Sequence, residues 1–118
     1  MNIEELDQYC LDKKGVTVST PFDEVTLVYK VMNKMFALTN IDNFKSVNLK
    51  CDPEYALELR AEYVEVQPGY HMSKKHWNTV VLNESLADVK VYELIDHSYN
   101  LVVSGLTKKV QKELEEMA

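Results

Sequence analysis

The stretch VTLVYKVMNKMFALTNIDNFKSVNLK, residues 25–50, decides the fold class of this chain. Its first segment, VTLVYKV, has an apolar side chain at every second position, which is typical of a half-buried strand. MFALTNI and SVNLK follow as two further strands, and the turns Asn33-Lys34 and Asp42-Asn43 separate the three segments. Because strands joined by such short turns pair antiparallel, the stretch predicts an antiparallel sheet rather than alternating parallel βαβ units.

One helix is predicted before this stretch and one after it. The first covers the opening thirteen residues, with Asn2 as the N-cap and Gly15 ending it. The second follows Asp52-Pro53-Glu54, where an N-cap aspartate, a proline at the first helical position and an acidic residue in the first turn mark a helix start. Residues 15–24, which include Pro21, are predicted to form an extended connection.

The remainder of the chain predicts two more strands and two more helices. VEVQPG and HWNTVVL are the strands, and LADVKVYELIDHSYNLVVSG is a long helix that Ser85 is predicted to cap. KKVQKELEEM forms a short final helix. The predicted fold is a single α+β domain over residues 1–118, with an antiparallel five-stranded sheet, helices on one face and the order α-β-β-β-α-β-β-α(-α).

The composition narrows the class of protein. The chain has 118 residues, a net charge of −6 and a pI near 5.0. Such a charge repels nucleic acid at long range, unless basic groups cluster on one face.

Cys10 and Cys51 have no metal-binding or redox spacing, and the chain has neither a signal peptide nor an 18-residue apolar run. We therefore expect a cytoplasmic protein with reduced thiols that makes no membrane contact.

A second stretch, GYHMSKKHWNTVVL at residues 69–82, carries most of the chemical signals. It contains two lysines, two histidines, a tyrosine and the one tryptophan of the chain, and it contains no acidic residue. A turn of this kind that leads into a strand has the right shape for a wing laid along a nucleic-acid groove.

Three segments resemble the MmcQ/YjbR family of small bacterial proteins. They contain the motifs NLKCDP, GYHM-x-K-x-HWNTV and L-I-D-x-S-Y-x-L-V, and with the hairpin VYKVMNKMFAL the likeness extends over residues 20–114. The resemblance implies an α+β fold with a curved antiparallel sheet, of the CyaY-like or secretion-chaperone-like type. It also implies a double-wing DNA-binding domain, a function that needs support from a site because a fold does not determine function.

The DNA hypothesis selects nine contact residues. Lysine and histidine side chains would bind phosphates, the asparagine a phosphate or base edge, and the aromatic rings would stack, with Arg60 as a weaker addition. The nine are Lys34, Lys50, Tyr70, His71, Lys74, Lys75, His76, Trp77 and Asn78. The expected partner is double-stranded DNA.

A purely structural role for the same stretch stays open. In that interpretation Trp77, Thr79 and Val81 face the core, while His76 and Asn78 hold the turn by hydrogen bonds. Lys74 and Lys75 would then belong to a solvated loop.

Metal and thiol chemistry receive less support from the sequence. His71, His76 and Cys51 would form a metal site only if the fold brought them together, and the acidic first helix is more typical of a solvated face. Cys51 precedes a helix N-terminus that could lower its thiol pKa, but a small buried residue is the commoner case. His97 is predicted to be a surface or capping residue.

The sequence therefore predicts a non-enzymatic, monomeric DNA-binding module that needs no cofactor or metal. No nucleophile elbow or phosphate-binding glycine loop supports an enzyme. The alternative is a protein-interaction or chaperone-like module that uses the open sheet face.

Overall fold

The structure, a computed structural model, describes residues 1–70 and 72–117 and contains four helices and six strands within them. The helices are α1 (Ile3–Leu11), α2 (Pro53–Glu62), α3 (Asp88–Ser104) and α4 (Lys108–Glu115). The strands are β1 (Val16–Ser19), β2 (Thr26–Val31), β3 (Lys34–Asn40), β4 (Ser46–Lys50), β5 (Val66–Pro68) and β6 (Trp77–Val81).

All six strands form one antiparallel sheet in the order β1-β2-β3-β4-β6-β5. The predicted α+β class is confirmed, but the predicted number of five strands is one too low. The additional strand is β1, which lies in the predicted extended connection. It pairs Val16 with Val31 and Val18 with Tyr29, so its two valines continue the apolar rows of β2.

The β2–β3 hairpin turns one residue earlier than predicted. Val31 pairs with Lys34, so the loop residues are Met32 and Asn33, with φ angles of 49° and 71°. Positive φ at both loop positions matches the twist of the two strands, which explains why an asparagine lies in this tight turn.

Local signals position the first two helices. The Asn2 side chain accepts a hydrogen bond from the Glu5 backbone at 2.8 Å, and the Glu5 carboxylate accepts one from the Asn2 backbone at 3.0 Å. This capping box begins α1, and Asp52 caps α2 by accepting from the Tyr55 N–H at 3.1 Å. Both predicted N-caps are confirmed.

The predicted cap of α3 is wrong. Ala87 occupies the N-cap position and makes no side-chain cap bond. The Ser85 hydroxyl instead hydrogen-bonds the side chains of Glu65 and Asn83, so it connects the loop after β6 to the residue before β5.

The main core lies between the helices and one face of the sheet. All four helices contribute buried side chains to it, and α3 packs across the middle strands β3 and β4. The fully or nearly buried residues at its centre are Leu6, Cys10, Tyr29, Phe36, Val47, Leu49, Leu59, Val80, Val91, Ile95 and Val102. Within the described ranges, no helix is long and apolar enough to cross a membrane.

Candidate nucleic-acid interface

The sheet face opposite the helices has an unusual charge for this acidic chain. None of the described strands contains an aspartate or glutamate, and together they contain the three lysines Lys30, Lys34 and Lys50. Lys30 and Lys50 alternate with core residues and so point away from the helices. Acidic residues are confined to helices and connections. We call the surface opposite the helices the outer face.

The three lysines are not paired with acids. The ion pairs found among residues 1–70 and 72–117 involve the amino terminus, Lys13 and Lys90. Lys30 and Lys50 on the outer face therefore have no acidic partner within the described structure. The same holds for Lys34, which pairs with Val31 and so lies at the end of the sheet beside α3.

Trp77 belongs to the outer face, contrary to the structural interpretation of this strand. It is 8 % exposed and packs with Val28 and Leu38 in a small cluster that is separate from the main core. In the β6 register Trp77 pairs with Lys50 and Thr79 pairs with Asn48, while Val80 faces the helices. The prediction that Trp77, Thr79 and Val81 face the core is therefore wrong for the helix-covered core.

Asn78 faces the helices and is held by Arg60. Its Oδ1 accepts from the Arg60 Nε at 2.8 Å, and Asn78 is only 3 % exposed. The same guanidinium donates to the backbone oxygens of Trp77, at 3.1 Å, and Lys74. The Arg60 guanidinium, with its several N–H donors, thus anchors the turn before β6 to helix α2. The predicted turn-holding role of Asn78 is confirmed.

The described residues of the turn before β6, 69–70 and 72–76, are held by several hydrogen bonds. The Lys74 Nζ donates to the Gly69 oxygen at 3.1 Å, and the Gly69 N–H donates to the Trp77 oxygen at 2.9 Å. A Cβ at Gly69 would lie 2.8 Å from the Trp77 Cβ, so this approach requires glycine. The Tyr70 N–H donates to the Thr79 hydroxyl at 3.0 Å, which aligns the chain beside β6.

Lys34, Lys50 and Trp77 meet at one cleft of about 350 Å³ at the end of the sheet. Met35 and the C-terminal end of α3 complete its walls. The cleft therefore combines two lysines with an apolar floor, which is suited to an anionic group attached to a less polar body.

A larger hollow of about 480 Å³ lies on the same face. It is lined by apolar side chains and by short polar ones, and Met35 borders both the hollow and the cleft. Its lining residues are Phe22, Asp23, Thr26, Met35, Leu38, Thr39, Asn40, Ser46, Asn48, Tyr70 and Met72.

The nine predicted contact residues are distributed over several places. Lys34, Lys50 and Trp77 line the cleft, and Tyr70 borders the hollow. Lys75 lies beside α2, in a groove bounded by Pro53, Glu54, Leu57 and Arg60.

Of the remaining four, two form the turn, one is exposed and one cannot be placed. Lys74 and Asn78 hold the turn. His76 is exposed, and its backbone oxygen accepts from the Cys51 N–H at 2.8 Å. His71 lies outside the described residues.

Comparison with known proteins identifies the family. The YjbR family model matches residues 11–101. The chain belongs to the YjbR family. It is 38 % identical to the YjbR protein of Escherichia coli K12 over 118 residues, covering 99 % of this chain and all of that protein. It is 36 % identical to the YbdF protein of Escherichia coli O157:H7 over 110 residues, covering 92 % of this chain and 90 % of that protein.

Solved structures share the fold of this YjbR-family chain. The crystal structure of the Deinococcus radiodurans protein DR2400 superimposes with a TM-score of 0.90 at 39 % identity, covering 97 % of this chain and 88 % of that one. A Pseudomonas syringae protein gives a TM-score of 0.72 at 28 % identity, covering 86 % of this chain and 98 % of that one.

The two thiols of this YjbR-family protein are buried. Burial raises the pKa of Cys51 to about 11 and that of Cys10 to about 12. The helix N-terminus after Cys51 therefore does not produce a reactive thiolate, and the prediction of a small buried residue is confirmed. Among the described residues, no three side chains of His, Cys, Asp or Glu lie close enough to hold a metal ion.

His97 connects α3 to the start of α2. Its Nε2 accepts a hydrogen bond from the Asp52 N–H at 3.1 Å, and its ring contacts Tyr55 edge-on at 5.0 Å between centroids. Burial lowers the pKa of His97, and the Asp52 carboxylate partly opposes that shift. Capping, one of the two predicted roles, is therefore the observed one, and it acts on the start of the preceding helix, α2.

Several outer-face residues were missed by the sequence analysis. They include Phe22, Lys30, Met35, Asn48 and Met72. The signal available for Lys30 was its position between the core residues Tyr29 and Val31, because alternation places it on the opposite face. Phe22 lies in a connection and carries no such signal.

Proposed function

We propose that this YjbR-family protein is a non-enzymatic DNA-binding module that needs no cofactor and binds DNA through the outer face of its sheet. The observation that carries the proposal is the absence of acidic residues from all six strands, combined with three unpaired lysines on them. A local positive surface can attract phosphates even when the whole molecule is negative. At physiological salt, charges farther than about 8–10 Å from a phosphate are largely screened and contribute little to the interaction.

The geometry supports particular roles within this proposal. Lys34 and Lys50 line one cleft at the end of the sheet and would contact neighbouring phosphates, and Lys30 adds a positive charge on the outer face. Trp77 and Asn78 would act indirectly, since the first supports the cleft floor and the second anchors the turn through Arg60.

The non-enzymatic part of the proposal is supported by the state of the thiols. A cysteine thiolate would be the most nucleophilic side chain that this chain offers. Burial keeps both Cys10 and Cys51 in the neutral thiol form near pH 7.

A salt titration tests the proposal. We expect a fluorescently labelled oligonucleotide, presented as a single strand and as a duplex, to bind at about 50 mM salt and to dissociate steeply as salt rises. Changing Lys30, Lys34 and Lys50 together to glutamine should reduce the slope of log K against log salt by about 2–3, because each lost phosphate contact removes about 0.7–0.9. Fluorescence anisotropy measures both quantities.

A matched variant controls for net charge. Lys108, Lys109 and Lys112 are exposed on α4, and changing all three to glutamine alters the total charge by the same amount. This variant should keep the salt slope of the parent protein. An equal loss in both variants, or no binding of either oligonucleotide at low salt, would contradict the proposal.

A protein-interaction module is the second candidate function. The observation in its favour is the apolar lining of the hollow, including Phe22 at 65 % exposure and Tyr70 at 68 %. Exposed apolar surface of this kind often marks a binding site. Such a partner would bind independently of the outer-face lysines.

A further inference from the structure

The hollow on the outer face has the dimensions of a ligand site. Its volume of about 480 Å³ lies within the roughly 300–1,000 Å³ range of small-molecule pockets. Phe22 and Tyr70 border it and are both largely exposed, while Met35, Leu38 and Met72 provide apolar lining. Two aromatic side chains beside an apolar surface favour a flat ring as the occupant.

Polar groups at the hollow can recognise the edge of such a ring. The Asn48 Oδ1 accepts from the Thr79 hydroxyl at 2.6 Å, and the Asn40 Oδ1 accepts from the backbone of Asp42 and Asn43 at 2.9 and 2.8 Å. The Asn40 oxygen therefore accepts two hydrogen bonds and the Asn48 oxygen one, and among the described residues each NH₂ group remains as a donor. Both side chains line the hollow.

Asp23 supplies an acceptor at the same place. Its carboxylate accepts from the Val25 N–H at 2.9 Å, the Thr26 N–H at 2.7 Å and the Thr26 hydroxyl at 3.0 Å. These three donors lower the pKa of Asp23 and keep it ionised. A carboxylate with remaining lone pairs can accept from an amino or imino group of a ring, but it repels a phosphate. The hollow thus suits a ring with donors and acceptors on its edge.

The phosphate would instead lie next to the hollow. Met35 lines both the hollow and the cleft, and Lys34 and Lys50 line the cleft, so the two lysines lie next to the hollow. A ring on one side of Met35 and an anion on the other match the arrangement of base and phosphate in a nucleotide.

We propose that the hollow bordered by Phe22 and Tyr70 receives an unpaired base of single-stranded DNA, with the adjoining phosphates on Lys34 and Lys50. This inference rests on the proposed function and deepens it, because it names the strand state of the ligand. In a duplex both faces of a base are stacked and its Watson–Crick edge is paired, so a recessed site can receive only a base that has left the stack.

A comparison of strand states tests the inference. We expect a labelled single strand to bind the parent protein more tightly than the same sequence as a duplex, measured by anisotropy at low salt. Changing Phe22 and Tyr70 together to alanine should weaken single-strand binding on the order of tenfold to a hundredfold, as expected for loss of base stacking. Duplex binding should not change.

The control removes apolar surface of similar exposure elsewhere. Leu57 and Val64 are 65 % and 83 % exposed on α2 and in the loop after it, and their double alanine variant should bind like the parent. Circular dichroism spectra that match the parent establish that each variant is folded.

The outcomes distinguish the two proposals. Equal affinity for both strand states together with an unaffected F22A/Y70A variant overturns the inference and leaves the DNA-binding proposal standing. If neither strand state binds, both proposals fail. The fluorescence of Trp77 provides an independent readout, because this one tryptophan lines the cleft next to the hollow and should respond to an unlabelled single strand.

Discussion

At the scale of single residues, Ser98 joins the helix layer to two strands through one hydroxyl group. Its Oγ donates to the Phe36 oxygen at 2.6 Å and accepts from the Lys50 N–H at 2.9 Å, and the residue is completely buried. The bond to Lys50 fixes the backbone that carries one of the cleft lysines.

Changing Ser98 to alanine should lower the free energy of unfolding by about 1–3 kcal/mol, because the backbone groups of Phe36 and Lys50 each lose a partner away from water. Urea denaturation measures this loss. The control is Ser104→Ala on the same helix, where the exposed hydroxyl bonds the Leu101 oxygen at 2.7 Å. That variant should differ from the parent by less than about 0.5 kcal/mol, and an equal loss in both variants would refute the assignment.

His97 should make stability depend on pH. Burial lowers its folded-state pKa below the ordinary value of 6.5, and its Nε2 accepts a hydrogen bond only while the ring is neutral. The unfolded chain therefore takes up the proton first as the pH falls. The free energy of unfolding should be constant for this group above about pH 6.5, and should decrease as the pH falls from there towards the folded-state pKa.

The measurement for His97 is a series of urea midpoints between about pH 7.5 and 5.5. His97→Gln keeps an acceptor without a titrating ring and should remove part of the pH dependence. His76→Gln on the exposed turn is the control and should behave like the parent. A parent protein whose stability is flat across this range would exclude the coupling.

At the scale of elements, the connection from α1 to β1 depends on Gly15. This residue has a φ of +73°, and an added Cβ would lie 2.4 Å from the Leu114 Cδ1 of α4. The left-handed backbone ends the short connection of residues 12–15 between α1 and β1, and the missing side chain leaves room for α4 to pack on this turn.

Gly15→Ala should lower the free energy of unfolding by about 1–2 kcal/mol from the backbone conformation alone, with a further loss as Leu114 moves. Gly105→Ala is the matched control, because the nearest atom to its added Cβ would be 3.5 Å away and its φ is −86°. That change should be neutral or slightly stabilising, since alanine restricts the unfolded chain. Thermal unfolding of the two variants compares them directly, and similar midpoints would contradict the account.

Elements with strong local signals were predicted correctly from the sequence. The alternation of β2 and the caps Asn2 and Asp52 each depend on residues close together in the chain. β1 was missed because it has only four residues and precedes Pro21, so its strand character comes from pairing with β2. A short apolar segment of that kind carries too little periodicity to be distinguished from a connection.

The orientation of β6 and the composition of the site could not be predicted locally. Trp77, Val80 and Val81 place apolar groups on both faces of β6, so alternation alone does not choose between them. Pairing with Lys50 and packing against the helices decide the register. The meeting of Lys34 and Lys50 depends on strand order and on the end of α3, which no single stretch of sequence records.

At the scale of the whole molecule, the sheet separates two environments. One face is covered by four helices and holds the main core, and the other is uncovered apart from the small cluster of Val28, Leu38 and Trp77. A sheet with one uncovered face is stable in water when that face is mainly polar. The threonines, asparagines and lysines on the outer face agree with this requirement. The outer face is therefore available for binding without any rearrangement of the core.

The strands contain lysines and no acidic residue, whereas the acidic residues lie on helices and connections, so charge is distributed unevenly over the molecule. In the field of a polyanion a body with an uneven charge distribution would experience a torque as well as a net force. The orientation of the molecule during a diffusive approach would depend on where its positive and negative charges lie, and not on its total charge. Isoelectric focusing measures only the total charge, so an isoelectric point near 5.0 gives no information about which side of the molecule would face a polyanion.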